Sequence, residues 1–377
     1  MRPALKKVRL GIIGYGNQGK LYAKLISDGK IKNAELSCIA SRSIDNCGDE
    51  SIKCYHTLEE LIKSKSCDAV IITLPHLLHY GACVEALKNE LHVLCEKPLT
   101  VGTGDALKVA DEAANHGNLT AAVMLNQRAR KCYKKLKEII VNGEIGKIKT
   151  LIWNSDGWYR PDLYYRSNSW RGTYKGEGGC VLVNQAIHHL DLLSYLIGNI
   201  KSVSGIVREG YMREVGVDTD SSMLLCYENG ATGIFNTSVH NLLDGNRLEI
   251  IGTGGTILLE NESRLTIKKL FKAEPEWNKS ENPFEAINLL KSDSGQLYSE
   301  KTYNFERSAG SEYEELLQNF VDNILSGTPL IAPIADGVAS VRLANACMLS
   351  SEYKKQINLD FDPTLFDALL ERKQCNE

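Results

Sequence analysis

The stretch "KNELHVLCEKPLT", residues 88 to 100, puts an acid, a base and a proline at the end of a short apolar run. His92 to Cys95 read as a strand, and Glu96-Lys97-Pro98 stop it. Proline has no N–H for a ladder and biases the residue before it towards an extended backbone. The Lys97 ammonium is therefore aimed beyond the strand end, where it can exchange a proton with a bound hydroxyl. Glu96 can pair with a neighbouring donor or orient a cofactor. The plainer alternative is a lysine that snorkels to the surface at a strand end.

A second constellation lies in "GEGGCVLVNQAIHHLDLLSYLIG", residues 176 to 198. At about 100° per residue, Asn184, His188, Asp191 and Tyr195 share one helical stripe, opposite an apolar stripe of Ala186, Leu190, Leu193 and Ile197. His188 can exchange a proton near neutral pH. Asp191, one turn on, is placed to fix its tautomer. His189 falls off the stripe and reads as structural, and a satisfied buried histidine is the alternative for His188. No well-spaced set of N, S or carboxylate ligands is evident, so no metal is expected.

The turn Gly14-Tyr15-Gly16-Asn17-Gln18-Gly19 follows the strand-like "VRLGII" and opens a helical segment. This is the context the G-x-G-x-x-G fingerprint requires. The first glycine permits the tight turn, the second admits a pyrophosphate and the third lets helix and strand pack closely. Tyr15, Asn17 and Gln18 are then cofactor neighbours. The end of the next strand reads Ala40-Ser41-Arg42-Ser43, with no acid before Asp45. Ser41 and Arg42 suit a ribose 2′-phosphate, so NADP is favoured over NAD. With an oxidised nicotinamide beside it, Lys97 meets like charge, which lowers its pKa from about 10.4.

These residues need a scaffold. The chain has 377 residues, 43% hydrophobic and 24% charged, with 44 Lys plus Arg against 47 Asp plus Glu and a net charge of −3. That balance gives no concentrated positive field for nucleic acid. No run approaches the roughly 18–20 apolar residues of a membrane span. No signal peptide is read in "MRPALKKVRL", and the 11 cysteines show no C-x-x-C spacing, so reduced thiols and a cytoplasmic location are expected.

Up to Asn126, short strands ("AELSCIAS", "DAVIITLP", "LHVLCEKP", "LTAAVMLN") alternate with helical stretches, which means βαβ units and a parallel sheet. Thr57 and Glu60 form a capping box. Beyond it, "CYKKLKEIIVNG" reads as a helix, and hairpin signals at Asn229-Gly230 and Gly254-Gly255 announce an antiparallel sheet. The segment "KAEPEWNKSENPFEAINLLKSDSG" reads as an irregular surface excursion. The expected division is a Rossmann domain over 1–126 and a second domain over 127–377, α/β followed by α+β.

With "GYGNQG", "CEKPLT" and "GGCVLVNQAIHHLD" together, the chain resembles the glucose–fructose oxidoreductase / inositol dehydrogenase (Gfo/Idh/MocA) family over nearly its whole length. The resemblance implies a Rossmann domain joined to a large, mainly antiparallel open sheet. It also implies hydride transfer between NAD or NADP and a ring carbon of a sugar, sugar nucleotide or inositol. Lys97 is then the lysine touching substrate and nicotinamide, and His188 lies near the reacting hydroxyl. "LPHLLHY" and "LTAAVMLN" add Leu74, Pro75, His79 and Asn126 to Glu96 as cofactor contacts. "WYRPDLYYRSNSWRGTYKGEGG" looks like a substrate-and-cofactor segment that adds Tyr165, Trp170 and Arg171 to Asn184 as substrate contacts: Arg171 could bind an anionic or hydroxylated ligand and Tyr165 could offer a phenol, with packing as the alternative for the aromatics. Inositol-type relatives usually carry Asp where this chain has Asn184. The Asn-Gln version looks like the branch acting on amino-sugar or nucleotide-sugar uronates.

Two alternatives stay open: an NAD-dependent glycosidase of the same fold, and a non-catalytic dinucleotide sensor. Strands such as "SSMLLCYEN" and "ATGIFNTSV" carry apolar residues on both faces, so self-association through the second sheet, as homodimer or homotetramer, is expected.

Overall fold

The computed structural model describes residues 6–44, 47, 49–243, 245–292, 297–306 and 310–377. The expected strands of the first third form a six-stranded sheet in the order β3-β2-β1-β4-β5-β6, parallel throughout. They are β1 (Val8–Ile13), β2 (Ala34–Ala40), β3 (Lys53–Tyr55), β4 (Ala69–Ile72), β5 (His92–Cys95) and β6 (Ala121–Val123). The helices between them are α1 (Asn17–Ser27), α2 (Leu58–Ser64), α3 (His79–Lys88) and α4 (Thr103–Asn115). Strand β3 is too short and polar to announce itself in the sequence. β1 pairs with both β2 and β4, so a crevice opens at its carboxyl end. Thr57 caps α2 as expected, accepting from Glu60 N at 3.2 Å, while the Glu60 carboxylate reaches back to His56 N.

After a turn at Asn126–Ala129, α5 (Lys131–Val141) ends just before Gly143. A nine-stranded sheet follows, in the order β14-β13-β12-β11-β7-β10-β9-β8-β15. Its strands are β7 (Ile148–Ser155), β8 (Ile200–Glu209), β9 (Asp218–Tyr227), β10 (Thr232–Ser238), β11 (Arg247–Gly252), β12 (Gly255–Glu260), β13 (Arg264–Leu270), β14 (Tyr298–Asn304) and β15 (Ile357–Asn358). Only β7 and β10 run parallel; every other pair is antiparallel, with hairpins at the two expected places. Its helices are α6 (Asp162–Arg166), α7 (Ile187–Ile197), α8 (Glu274–Trp277), α9 (Glu285–Ser292), α10 (Ser311–Ser326), α11 (Gly337–Tyr353) and α12 (Thr364–Cys375). Two of these correct the expectation for "KAEPEWNKSENPFEAINLLKSDSG", which holds α8 and α9 rather than irregular chain: Glu274 and Glu276 favour a helix start, and the apolar residues of "FEAINLL" recur at helical spacing.

One face of this sheet buries Trp153, Leu225, Phe235 and Leu248 against Leu190 and Leu193 of α7 and Leu343 of α11. The opposite face leaves Ile206, Leu224 and Ile234 exposed at 67%, 52% and 41%.

The two sheets are tied by the end of the chain. Leu316, Leu317, Phe320 and Val321 of α10 belong to the core of the six-stranded sheet. Asn345 of α11, fully buried, accepts from Thr103 N at 2.8 Å and Thr103 Oγ1 at 2.7 Å, satisfying a free donor at the start of α4.

The expectation of reduced thiols throughout is corrected. Cys47 and Cys54 form a disulfide, brought together by the turn between β2 and β3. Cys95 is fully buried beside the Leu99 backbone oxygen and faces no crevice. Among the described residues no helix is long and apolar enough to cross a membrane. No group of three or more His, Cys, Asp or Glu among them could hold a metal ion.

Candidate active site

A crevice of about 1260 Å³ lies over the carboxyl ends of β1, β4 and β5 and is closed from the other side by α7 and the loops before it. The glycine turn forms its floor. A side chain at Gly14, whose φ is +93°, would meet Thr73 O at 2.7 Å, and one at Gly19 would meet Gly14 O at 2.2 Å. A side chain at Gly16 would meet nothing within 4 Å, so that position faces open space as a cradle must. The residues present thus fit a dinucleotide: a tight turn, an open approach and a helix start behind it.

Tyr15, Asn17 and Gln18 line the same crevice, as do Ser41, Arg42, Leu74, Pro75, His79, Glu96 and Asn126. Arg42 is exposed at the end of β2; Asp45 lies outside the described residues. His79 is fixed by the carbonyl oxygens of Pro98 at 2.7 Å and Leu74 at 2.8 Å. Asn126 Oδ1 is shielded from water and has no partner among the described residues.

Lys97 projects into this crevice from the end of β5, and the Lys97–Pro98 peptide is cis. Its Nζ donates to the backbone oxygen of Asn184 at 2.8 Å and to Asn184 Oδ1 at 2.9 Å. The Asn184 amide is held in turn, since its Nδ2 donates to Glu177 Oε1. Glu177 is fully buried, and its other oxygen accepts from Gly172 N at 2.7 Å. A row of fixed groups therefore backs the ammonium. Burial lowers the Lys97 pKa below the usual lysine value, against the opposing pull of Glu96 and Glu177. Glu96, pushed up by burial, is engaged by Tyr22 OH and by Lys97 N at 3.0 Å.

Asn184 sits on a π-helical turn, Val181–Gln185, and α7 starts only at Ile187. The continuous stripe read from the sequence is broken there, although Asn184 and His188 still meet in the crevice. Asp218 of β9 anchors the turn, accepting from Cys180 N at 2.6 Å and Leu182 N at 2.7 Å. Burial pushes that carboxyl up to about 7.

His188 stacks on Trp158 at 6.4 Å, and its Nδ1 has no partner among the described residues. Burial, with Lys97 adding like charge, holds it well below 6.5, so the ring is neutral near pH 7. The role expected for Asp191 is corrected. Its carboxylate takes Arg128 in a fork at 2.6 and 2.8 Å, and Arg128 also reaches Asp336 and stacks on Tyr195. Arg128, from the turn at Asn126–Ala129, thus ties Asp191 of α7 to Asp336. His189 is structural as expected, held between Ser155 Oγ at 2.6 Å and Tyr133 OH at 3.2 Å.

Trp170 and Arg171 line the crevice, but Tyr165 does not and is corrected. Its ring is buried and its hydroxyl lies on Cys180 Sγ at 3.3 Å; the neighbouring Tyr164 faces the crevice instead. The crevice adds Arg160, Tyr164 and His76, and behind it lies Glu177, whose backbone oxygen sits 3.0 Å from His76 Nδ1. All but His76 fall in the aromatic and glycine-rich stretch before α7. That clustering was the available signal; which side of a short helix faces the ligand was not.

Two family profiles match the chain. One, an oxidoreductase family with an NAD-binding Rossmann fold, covers residues 8–124, and the other, the GFO/IDH/MocA C-terminal domain, covers 133–258. Myo-inositol 2-dehydrogenase of Thermotoga maritima is 26% identical over 365 residues, covering 94% of this chain and 99% of its own. Levoglucosan dehydrogenase of Pseudarthrobacter phenanthrenivorans is 25% identical over 316 residues, covering 72% and 78%. The WlbA dehydrogenase of Bordetella pertussis, solved with NADH and UDP-GlcNAcA, shares the fold with a TM-score of 0.74 at 21% identity, over 94% of this chain and 100% of that one. With residues 8–124 and 133–258 matched and the glycine turn, Lys97 and His188 gathered in one crevice, the chain belongs to the GFO/IDH/MocA family of oxidoreductases.

Proposed function

We propose that this protein is an NAD(P)-dependent sugar or cyclitol dehydrogenase, acting on a ring carbon of a sugar, sugar nucleotide or inositol, with Lys97 and His188 handling the proton. A bound nicotinamide supplies the acceptor or donor of hydride. The observation that carries the reading is the pair of hydrogen bonds from Lys97 to Asn184. A neutral amine has two N–H groups and one lone pair. With both N–H groups on Asn184, the lone pair is left for a substrate hydroxyl. Protonated, the same nitrogen has a third N–H to return. Neutral His188 can accept or relay that proton at its unpartnered Nδ1. The names of the inositol and levoglucosan relatives support a ring alcohol as substrate.

On this reading residues 1–126 hold the dinucleotide through the glycine turn, Ser41, Arg42, Leu74, Pro75, His79, Glu96 and Asn126. Residues 127–377 supply the substrate side through Trp170, Arg171, Asn184 and His188, and the open sheet face for self-association in the cytoplasm. The deciding experiment incubates the protein with inositols, hexoses and nucleotide sugars and follows the absorbance of NADH and NADPH. Net reduction or oxidation of cofactor is expected. Glycoside cleavage without net change would point to the glycosidase, and dinucleotide binding without any turnover to a sensor.

A further inference from the structure

Arg160 and Arg171 line the crevice beside Asn184, and neither is held in an ion pair among the described residues. Arg160 Nη1 donates only to backbone oxygens, Tyr159 O at 2.8 Å and Trp158 O at 3.5 Å. Arg171 Nη1 donates to Tyr164 OH. Neither makes an ion pair with a carboxylate among the described residues, and the Nε of each is shielded from water with no acceptor. Both guanidinium groups lie against one ring, that of Tyr164, at 5.1 and 4.5 Å. They are therefore neighbours.

Other arginines at this level are compensated. Arg128 pairs with Asp191 and Asp336, and Arg130 with Glu262 and Glu312. The two acids around Lys97 are already engaged: Glu177 by Asn184 and Gly172, and Glu96 by Tyr22 and Lys97 N. Half-burying two guanidinium groups without an ion pair costs free energy. A planar oxyanion reverses that cost, because two forks of N–H donors match its oxygens.

We propose that Arg160 and Arg171 form an anion subsite, so that the substrate is a sugar bearing a carboxylate or phosphate rather than a neutral sugar or cyclitol. The proposal deepens the dehydrogenase reading and rests on it for the chemistry performed next door. The two arginines also act on Lys97 as like charges, which a bound anion offsets.

The test titrates the NADH-loaded full chain by calorimetry with glucose, glucuronate, glucose 6-phosphate and UDP-GlcNAcA, and assays the same four for turnover. At least one anion should bind about 30-fold or more tighter than glucose, a difference of about 2 kcal/mol. Glucuronate against glucose 6-phosphate separates carboxylate from phosphate. Arg160→Gln and Arg171→Gln should each weaken the anion by about tenfold or more, while NADH affinity, the control for folding, stays as it was. Glucose binding as well as the anions overturns the subsite. So does the absence of binding by every anion, or variants that lose NADH instead. Anion binding without hydride transfer leaves the subsite standing and speaks against the dehydrogenase reading. Turnover of glucose with no preference for anions does the reverse.

Discussion

Lys97 Nζ lies 2.8 Å from the backbone oxygen of Asn184 and 2.9 Å from its side-chain oxygen, so one neutral residue holds two of the three directions of the nitrogen. That neutrality sets a pH dependence. Oxidation needs the free amine, and burial already lowers its pKa. kcat/KM for oxidation should therefore rise with pH through that lowered value and level off above it. Asn184→Asp puts a full negative charge against the ammonium, favours the charged form and raises the pKa. The rising limb should move to higher pH, with activity at pH 7 down by about tenfold or more and recovered in part near pH 9. An unmoved limb in the variant would mean that Lys97 is not the titrating base.

Removing the base altogether is a stronger change. Lys97→Ala should lower kcat by about 10²–10⁴-fold, the usual contribution of a positioned acid or base. NADH affinity, read by fluorescence, should change only a few-fold, since the glycine turn is untouched. His188→Ala should also be severe and leave the melting temperature close to that of the parent. Near-normal turnover in the lysine variant sinks the assignment; in the histidine variant it leaves Lys97 to move the proton alone.

Arg42 tests cofactor choice. It stands exposed at the end of β2 beside Ser41, in the position from which a ribose 2′-phosphate is read. NADP(H) should be used at least as well as NAD(H), and Arg42→Ala should weaken NADP by about tenfold while sparing NAD. Specificity constants favouring NAD by more than about 100-fold, roughly 2.7 kcal/mol, contradict this.

The open face of the nine-stranded sheet tests self-association. Ile234 faces Leu224 on one side and Ile152 on the other, so an apolar row crosses β7, β10 and β9. Light scattering at micromolar concentration should give at least twice the 41.8 kDa of one chain. Leu224→Glu with Ile234→Glu should shift the mass towards a single chain, since charges in a buried apolar patch are costly. A parent protein at the single-chain mass rejects the interface.

The sequence announced what is periodic or chemically odd. The βαβ series, both hairpins and the capping box at Thr57 followed from alternation and turn residues, and the crevice positions of Lys97 and His188 from a proline and a polar stripe. What it concealed depends on contacts between distant residues. Asp191 lies on the expected face of α7 by spacing alone, yet its carboxylate is taken by Arg128, 63 positions away. Tyr164 and Tyr165 are indistinguishable until α6 chooses which ring to bury. Cys47 and Cys54 become partners only once β3 pairs with β2, and β3 is three residues long.

The packing of α10 has a consequence for how the molecule is made. Strand β6 ends at Val123, but the wall that closes the six-stranded sheet is built from Leu316 to Val321. At about 5–20 residues per second, a ribosome needs roughly 10–40 s to cover that interval. For all of it the nascent sheet carries a bare apolar flank, a natural client for a chaperone. The sheet that is synthesised first is thus closed only by residues near the end of the chain.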